Sequence, residues 1–435
     1  MKESFHFLGV GGIGMSALAR ILIDQGKKVS GTDLSDIASL EKIGIKKQDA
    51  LPKNATVIYS SAIQESHPHL TEAKQANLPL LHRAKLLSLL LENKQGLLVA
   101  GTHGKTSASA LLAWTLMVGG KDPSFAIGGI LQNLQKNGGE GKGTFFVAEA
   151  DESDGSFLHY AGEGAIVTNI ENEHMAYWKT EENLLNGFAA FIKNIKNPNH
   201  LFWCADDPTL RSLKPPGISY GKTGELKLLS CAPKENGTTF SLSFQEKTYS
   251  DFFLPLFGEK QTLNALAVFG MALSLGIDGD TIRQAFATFQ GIKRRQEKIG
   301  AEAGITLYDD YAHHPTEIEA VLSGLKPQVK KGRLIALFQP HRYSRTQEQF
   351  HSFQTAFEKA DLTIITSIYP AGENPLPGIS GKALAKQITR GHPIYIEKSR
   401  LLDYLPKMLL PGDLLVTMGA GDITTFGPQI LRALT

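Results

Sequence analysis

The chain has 435 residues, 42% hydrophobic and 20% charged, with a formal net charge of +2. That length exceeds one ordinary hydrophobic core and predicts two to four domains, with three as the working number. The near-balanced charge excludes the basic footprint of a nucleic-acid binder, and the composition excludes large-scale disorder.

Short strand-like runs alternate with helical stretches along the sequence, the pattern of parallel sheets covered by helices on both faces. The fold class is therefore α/β. The first run, "FHFLGV", leads into Gly9-Val10-Gly11-Gly12-Ile13-Gly14, a G-x-G-x-x-G turn between a strand and a helix, and Asp33 follows the second strand "KKVSGTD". Glycines there permit a tight turn and close approach of a diphosphate to the helix start, while the acid sits where a ribose hydroxyl is met. A UDP-sugar and NAD satisfy this geometry equally, and a ligand-free glycine turn is the plain alternative. This first unit ends with the helical "AKLLSLLLENK", giving a domain of residues 1–95.

The next strand, "GLLVA", enters Gly101-Thr102-His103-Gly104-Lys105-Thr106-Ser107 and a helix of small residues. The stretch nearly fits the phosphate loop G-x-x-x-x-G-K-S/T, with Val99 where the first glycine belongs. Backbone N–H groups of such a turn cradle phosphate, the lysine adds charge, and the Thr106 hydroxyl suits Mg²⁺. "FFVAEADESDG" then places Glu149, Asp151, Glu152 and Asp154 at a strand end, and "VTNIENEHM" does the same for Glu171, Glu173 and His174. Carboxylates beside a phosphate loop are natural Mg²⁺ ligands, although acid-rich loops also occur as solvated turns. Residues 217–257 read as hairpin strands without crossover helices, predicting a small antiparallel sheet flanking the central domain, which runs over 96–291.

The last unit, 292–435, carries "DDYAHHPTEIEA" and "FQPHRYSRTQ". Arg342 and Arg345 suit bidentate recognition of a carboxylate or phosphate. His313, His314 and His341 either orient a polar substrate or pack as satisfied core histidines. Cys204 and Cys231 are the only cysteines and form no C-x-x-C pair, so no zinc site or disulfide framework is indicated. Residues 1–7 lack the apolar run of a signal peptide, and no stretch approaches the ~18 apolar residues of a membrane span. A cytoplasmic protein without membrane or nucleic-acid partners, a monomer or weak homodimer, is expected.

Taken in order, "GVGGIGMSALA", "SSAI", "AGTHGKT", "VAEADESDGSFLHY", "VTNIENEHM", "DDYAHHPTEIEA", "FQPHRYSRT", "YPAGENPLPG" and "GAGDIT" resemble the signatures of the Mur ligase family from residue 9 to residue 424. The resemblance implies a Rossmann-like N-terminal domain, a central ATPase domain and a Rossmann-like C-terminal domain. It also implies an ATP-dependent ligase that joins L-alanine to UDP-N-acetylmuramate through an acyl phosphate. The family's phosphate loop does without the earlier glycine, so Val99 is no obstacle.

By that resemblance, Gly101 to Ser107 hold ATP, with Asn264 near the adenine and Arg295 near the phosphates. Thr106, Glu149 and His174 hold Mg²⁺, and Lys105, Glu149, His174, His313, Arg342 and Arg345 carry the catalysis. Gly11, Gly12, Ile13, Gly14, Asp33, Ser60 and Ser61 take the UDP-sugar, and Tyr311, His313, His341, Arg342 and Arg345 take the amino acid. The chain departs from the family pattern at Lys260 and Gln261, where His and Asn are usual, at Lys85, where an acid is usual, and at Gln296, where an aromatic is common. Two rivals stay open: a sibling ligase that takes a tripeptide as amine, and an NAD-dependent oxidoreductase built on the N-terminal glycine motif.

Overall fold

The computed structural model describes residues 3–435; of the opening stretch, Met1 and Lys2 lie outside the described residues. The chain forms two compact units, one of Met1–Ser230, Phe240–Phe252 and Leu263–Gln290, the other of Cys231–Thr239, Phe253–Thr262 and Gly291–Thr435.

In the first unit, β1 (Ser4–Leu8), β2 (Lys28–Thr32), β3 (Lys46–Lys47), β4 (Thr56–Tyr59) and β5 (Leu80–His82) form a parallel sheet of order β3-β2-β1-β4-β5. Helix α1 (Ile13–Asp24) follows the glycine-rich turn. It buries Met15, Ser16, Ala17, Leu18, Ala19, Ile21 and Leu22, so the helix is covered on nearly all sides. The strand order reverses between β1 and β4, so the turn after β1 and Ser60-Ser61 after β4 flank the crevice where open α/β sheets take ligands.

The central sheet contains β6 (Gln95–Ala100), β7 (Ser124–Leu131), β8 (Lys136–Gly139), β9 (Phe145–Glu149), β10 (Gly164–Val167), β11 (Leu201–Cys204), β12 (Ile218–Gly221), β13 (Leu226–Lys234), β14 (Gly237–Phe244) and β15 (Lys247–Leu254). Its order is β15-β14-β13-β12-β11-β10-β6-β9-β7-β8. Leu97, Leu98, Val99 and Ala100 of β6 are wholly buried, as a parallel strand covered on both faces requires. Val99 pairs with Glu149 and Ile166 inside that strand and so lies before the phosphate turn. Residues 217–257 do not form the separate antiparallel sheet expected: β12 pairs in parallel with β11 and β13 in parallel with β12, so β13–β15 extend the edge of the central sheet. Gln245 and Glu246 between β14 and β15 both have positive φ (49° and 63°), the geometry of a two-residue antiparallel hairpin turn.

In the second unit, β16 (Glu297–Glu302), β17 (Ile305–Asp310), β18 (Leu334–Phe338), β19 (Leu362–Ile365), β20 (Pro393–Tyr395) and β21 (Leu414–Met418) take the order β16-β17-β21-β18-β19-β20. Only β16 is antiparallel to its neighbour. Along β18, Leu334, Ala336 and Phe338 belong to one core cluster and Ile335 and Leu337 to another. Their period of two places apolar layers on both faces of the sheet. Among the described residues, no helix is long and apolar enough to cross a membrane.

Candidate functional site

The glycine-rich turn is fixed by its own backbone. Gly9 and Val10 N–H groups donate to Thr32 O, Gly12 N–H to Gly9 O, and Gly11 N–H to the Asp33 carboxylate at 2.7 Å. A Cβ on Gly11 would lie 2.9 Å from that carboxylate, so the close approach requires glycine. Burial opposes ionisation of Asp33, but hydrogen bonds from Ser35 and Gly11 outweigh it and lower its pKa. The Asp33 carboxylate is thus folded back onto the turn. Ile13 and Leu34 stand exposed beside it.

The phosphate turn sits at the carboxyl end of β6, between the ends of β9 and β10. Gly101 has φ +129° and a Cβ there would meet Thr168 Oγ1 at 2.1 Å; Gly104 has φ +87° and lies against the Asn264 side chain. His103 is held from β10's loop, donating its N–H to Asn169 Oδ1 at 2.9 Å and accepting at its carbonyl from Thr168 Oγ1 at 2.6 Å. Gly101→Ala is therefore expected to lower stability by about 2–3 kcal/mol, combining a steric clash with a left-handed φ. The denaturant midpoint measures this, and an unchanged midpoint would mean the turn rearranges freely.

Lys105 opens the helix Lys105–Val118 and points back over the turn. Its Nζ donates to Gly101 O at 2.6 Å and to both Glu152 oxygens at 2.7 and 2.9 Å. Burial works against the ammonium, but Glu152 and Asp151 raise its pKa on balance. Burial pushes Glu152 up to about 7 despite Lys105 opposite. The geometry, with two short contacts, is that of an ion pair. Glu149 accepts from Thr106 Oγ1 at 3.3 Å, from Ser109 Oγ at 3.4 Å and from Gly128 N–H. His174 has φ 60° and its Nε2 lies 3.7 Å from Glu152 and 3.8 Å from Glu173. The fold thus brings Thr106 and Glu149 together, and Lys105 and His174 onto Glu152. Hydroxyl and carboxylate oxygens of this kind are the donor chemistry a hard divalent cation selects.

Between the N-terminal and central sheets, Arg83 pairs with Asp151 at 3.1 Å and with Asp154 at 3.2 Å. Ser61 Oγ donates to Asp154 and lies 3.1 Å from His82 Nε2. Arg83 belongs to no phosphate motif, and the sequence reading passed over it; its neighbour Lys85 is exposed. Burial alone would raise the Asp154 pKa, but hydrogen bonds from Ser156 and Ser61 and the charge of Arg83 hold it down to about 2. A depressed folded-state pKa stabilises above the unfolded value of 3.8, and that stability is lost as pH falls toward 2. Asp154→Asn is expected to remove about 1 kcal/mol at pH 7 and less at pH 3, allowing for solvent screening. Urea unfolding at the two pH values tests it; an equal loss at both contradicts it.

In the second unit, the ends of β17 and β18 bring several expected residues together. Tyr311 packs edge-on to His313 with ring centroids 5.3 Å apart, and the guanidiniums of Arg294 and Arg295 lie 4.9 and 5.1 Å from the Tyr311 ring. His341 is 6.3 Å from His313 and stacks on Tyr369 at 5.5 Å. Arg345 Nη1 is 3.2 Å from His341 Nδ1. Burial, then Arg345, His313 and Arg342, lower His341 to about 3, so its ring is neutral near pH 7. Arg342 has φ 69° and caps the helix Tyr343–Glu348, its N–H donating to Tyr369 O. His314 forms a capping box with Glu317 at the helix Pro315–Leu325 and is buried. Tyr369 and Arg294, which binds the carbonyls of Gly419 and Gly421, were not among the expected residues. Gln296, the departure from an aromatic, makes a two-bond clamp on the Phe257 backbone at 2.8 and 2.9 Å.

Family models match three successive stretches: "Mur ligase family, catalytic domain" over residues 4–95, "Mur ligase middle domain" over 99–272, and "Mur ligase, glutamate ligase domain" over 294–421. The UDP-N-acetylmuramate–L-alanine ligase of Protochlamydia amoebophila is 43% identical over 451 aligned positions, covering 100% of this chain and 99% of that one. The crystal structure of UDP-N-acetylmuramate-alanine ligase from Thermotoga maritima superimposes with a TM-score of 0.85 at 26% identity, covering 99% of this chain and 98% of that one. A murein peptide ligase from Psychrobacter arcticus shares the fold, with a TM-score of 0.72 at 24% identity and coverage of 100% and 99%. Matches of this extent, laid over three consecutive domains, make the chain a member of the Mur ligase family.

Proposed function

We propose that this protein is a cytoplasmic ATP-dependent ligase that joins L-alanine to UDP-N-acetylmuramate, supplying a precursor of peptidoglycan. The observation that carries the reading is the 43% identity, end to end, with an enzyme of that name. The NAD-dependent alternative gives no role to the Lys105 turn or to the acids around it.

A carboxylate is a poor electrophile, because its leaving group would be an oxide. The reaction resolves this in two balanced steps: a carboxylate oxygen of the sugar acid takes the γ-phosphoryl group of ATP as ADP leaves, and the alanine nitrogen then attacks the acyl carbon. Phosphate departs with that carboxylate oxygen, and the amine loses a proton. Lys105 and the N–H groups of the phosphate turn hold the phosphates in line and offset their charge, which is most of what phosphoryl transfer asks of a protein. Thr106, Glu149 and His174 would hold Mg²⁺, which when bound neutralises phosphate charge. The turn after β1, with Ser60 and Ser61, holds the UDP-sugar. Arg345 and Arg342 bind the alanine carboxylate, with Tyr311, His313 and His341 shaping the pocket around them. Asn264 and Arg295 serve the nucleotide. Gln261, three residues before Asn264 on the same helix, has a buried side-chain carbonyl without a hydrogen-bond partner, the acceptor an adenine amine needs.

The test is product identification after incubation with ATP, Mg²⁺ and UDP-N-acetylmuramate, offering L-alanine, glycine, L-serine or the stem tripeptide. The alanine amide should dominate. Dominance of the tripeptide product would reassign the amine.

A further inference from the structure

We propose that Asn137, in the edge strand of the central sheet, is a positioning residue for the sugar nucleotide bound by the N-terminal domain. The inference rests on the assignment of the UDP-sugar to the turn after β1. The first turn of a helix has N–H groups without intrahelical acceptors. At α1 the turn itself uses the Gly11 and Gly12 N–H groups, and Gly12 as N-cap supplies no side chain. The donors left for a diphosphate are therefore those of Ile13, Gly14 and Met15.

Gly14 N–H shares one rigid peptide plane with the Ile13 carbonyl. That carbonyl accepts from Asn137 Nδ2 at 2.7 Å and from Ser16 Oγ at 3.0 Å, while Asn137 Nδ2 also donates to Ser16 Oγ at 2.9 Å. Two hydrogen bonds end on this carbonyl and the third links their donors, so that Asn137 to Ser16 to Ile13 forms a cooperative relay; withdrawing electron density at the oxygen makes the attached Gly14 N–H a better donor. Asn137 is 2% exposed and Ser16 5% exposed, so water does not substitute for either.

The strand is held against α1 along its length. A Cβ on Gly138 would lie 2.6 Å from Ala17 O, so only glycine lets β8 seat on the helix backbone. Beyond β8, Glu140 N–H donates to Asp24 and Gln25 donates to the Glu140 carboxylate, fixing the far end of the helix. Arg83 Nη1 stands 3.6 Å from the Cβ position of Gly14, adding a cation near this residue. Through Asn137 the ATP-binding domain thus sets the geometry of the sugar-nucleotide site.

Asn137→Ala should raise the Kd for UDP, used as the probe, and the KM for UDP-N-acetylmuramate about three- to fivefold, because the Gly14 contact is weakened rather than lost. The KM values for ATP and L-alanine should stay within about twofold, and the Gly14 amide proton should move upfield in the free enzyme. Should Asn137→Ala fail to fold, Ser16→Ala removes one of the donors to the same carbonyl and should shift both readouts in the same direction by less. Folded variants with unchanged UDP affinity and an unmoved Gly14 resonance would overturn the proposal, as would equal losses for UDP and ATP. Wild-type protein that binds no UDP would instead remove the nucleotide assignment, and the proposal with it.

Discussion

Lys105→Ala is expected to lower alanine-dependent phosphate release at least about a thousandfold, because the phosphoryl group in flight loses its only charged donor from the turn. The side chain is 15% exposed and its ammonium touches Gly101 O, Thr102 O and both oxygens of Glu152. Its removal also takes from Glu152, which is 1% exposed and already raised to about 7, the cation that favours its charge, so the carboxyl takes up a proton and stability falls by less than the ~3–5 kcal/mol of an unpaired buried charge. Two effects are therefore mixed in the single variant. The double change Lys105→Met with Glu152→Gln separates them: it should recover most of the lost stability and none of the turnover. Turnover that returns with stability would remove Lys105 from the chemistry.

Arg345→Ala should raise the KM for L-alanine about 10–100-fold while changing the KM for ATP less than about threefold, the expected loss of a charge-assisted contact to a carboxylate. The same change has a pH signature. After burial, Arg345 is the largest influence lowering His341 to about 3. Without that guanidinium the His341 pKa rises, while burial, the larger cause, still holds it below its ordinary 6.5, so on acidification the variant's alanine KM should begin to change at a higher pH than the wild-type value. Unchanged alanine kinetics would assign the carboxylate to another cation.

Residues whose position follows from local chain geometry were legible in the sequence. The glycine turn, the Lys105 turn and the acids after "FFVAE" all stand immediately beyond buried apolar strands, and period and spacing place them at strand ends. Val99 shows the same logic from the other side: as part of a continuous apolar run it belongs to β6, not to the turn. What long-range packing decides was not legible. Arg83 meets partners 68 and 71 positions away, and "KNGG", which forms β8, has the composition of a turn. Asn137 acquires its carbonyl partner only once β8 lies along α1. Tyr369 stacks on His341 because β18 and β19 are neighbours, a pairing no local pattern announces. Gln296, read as a departure, replaces ring packing with two hydrogen bonds to a backbone segment 39 positions away.

The most direct measurement of the central claim follows oxygen. UDP-N-acetylmuramate labelled with ¹⁸O in its carboxylate is incubated with ATP, Mg²⁺ and L-alanine, and the inorganic phosphate is analysed by mass. Transfer of one carboxylate oxygen to each phosphate released, together with formation of the alanine amide, is the predicted result. Phosphate that is released without label, or without dependence on L-alanine, would contradict the assignment of this protein as the alanine-adding ligase.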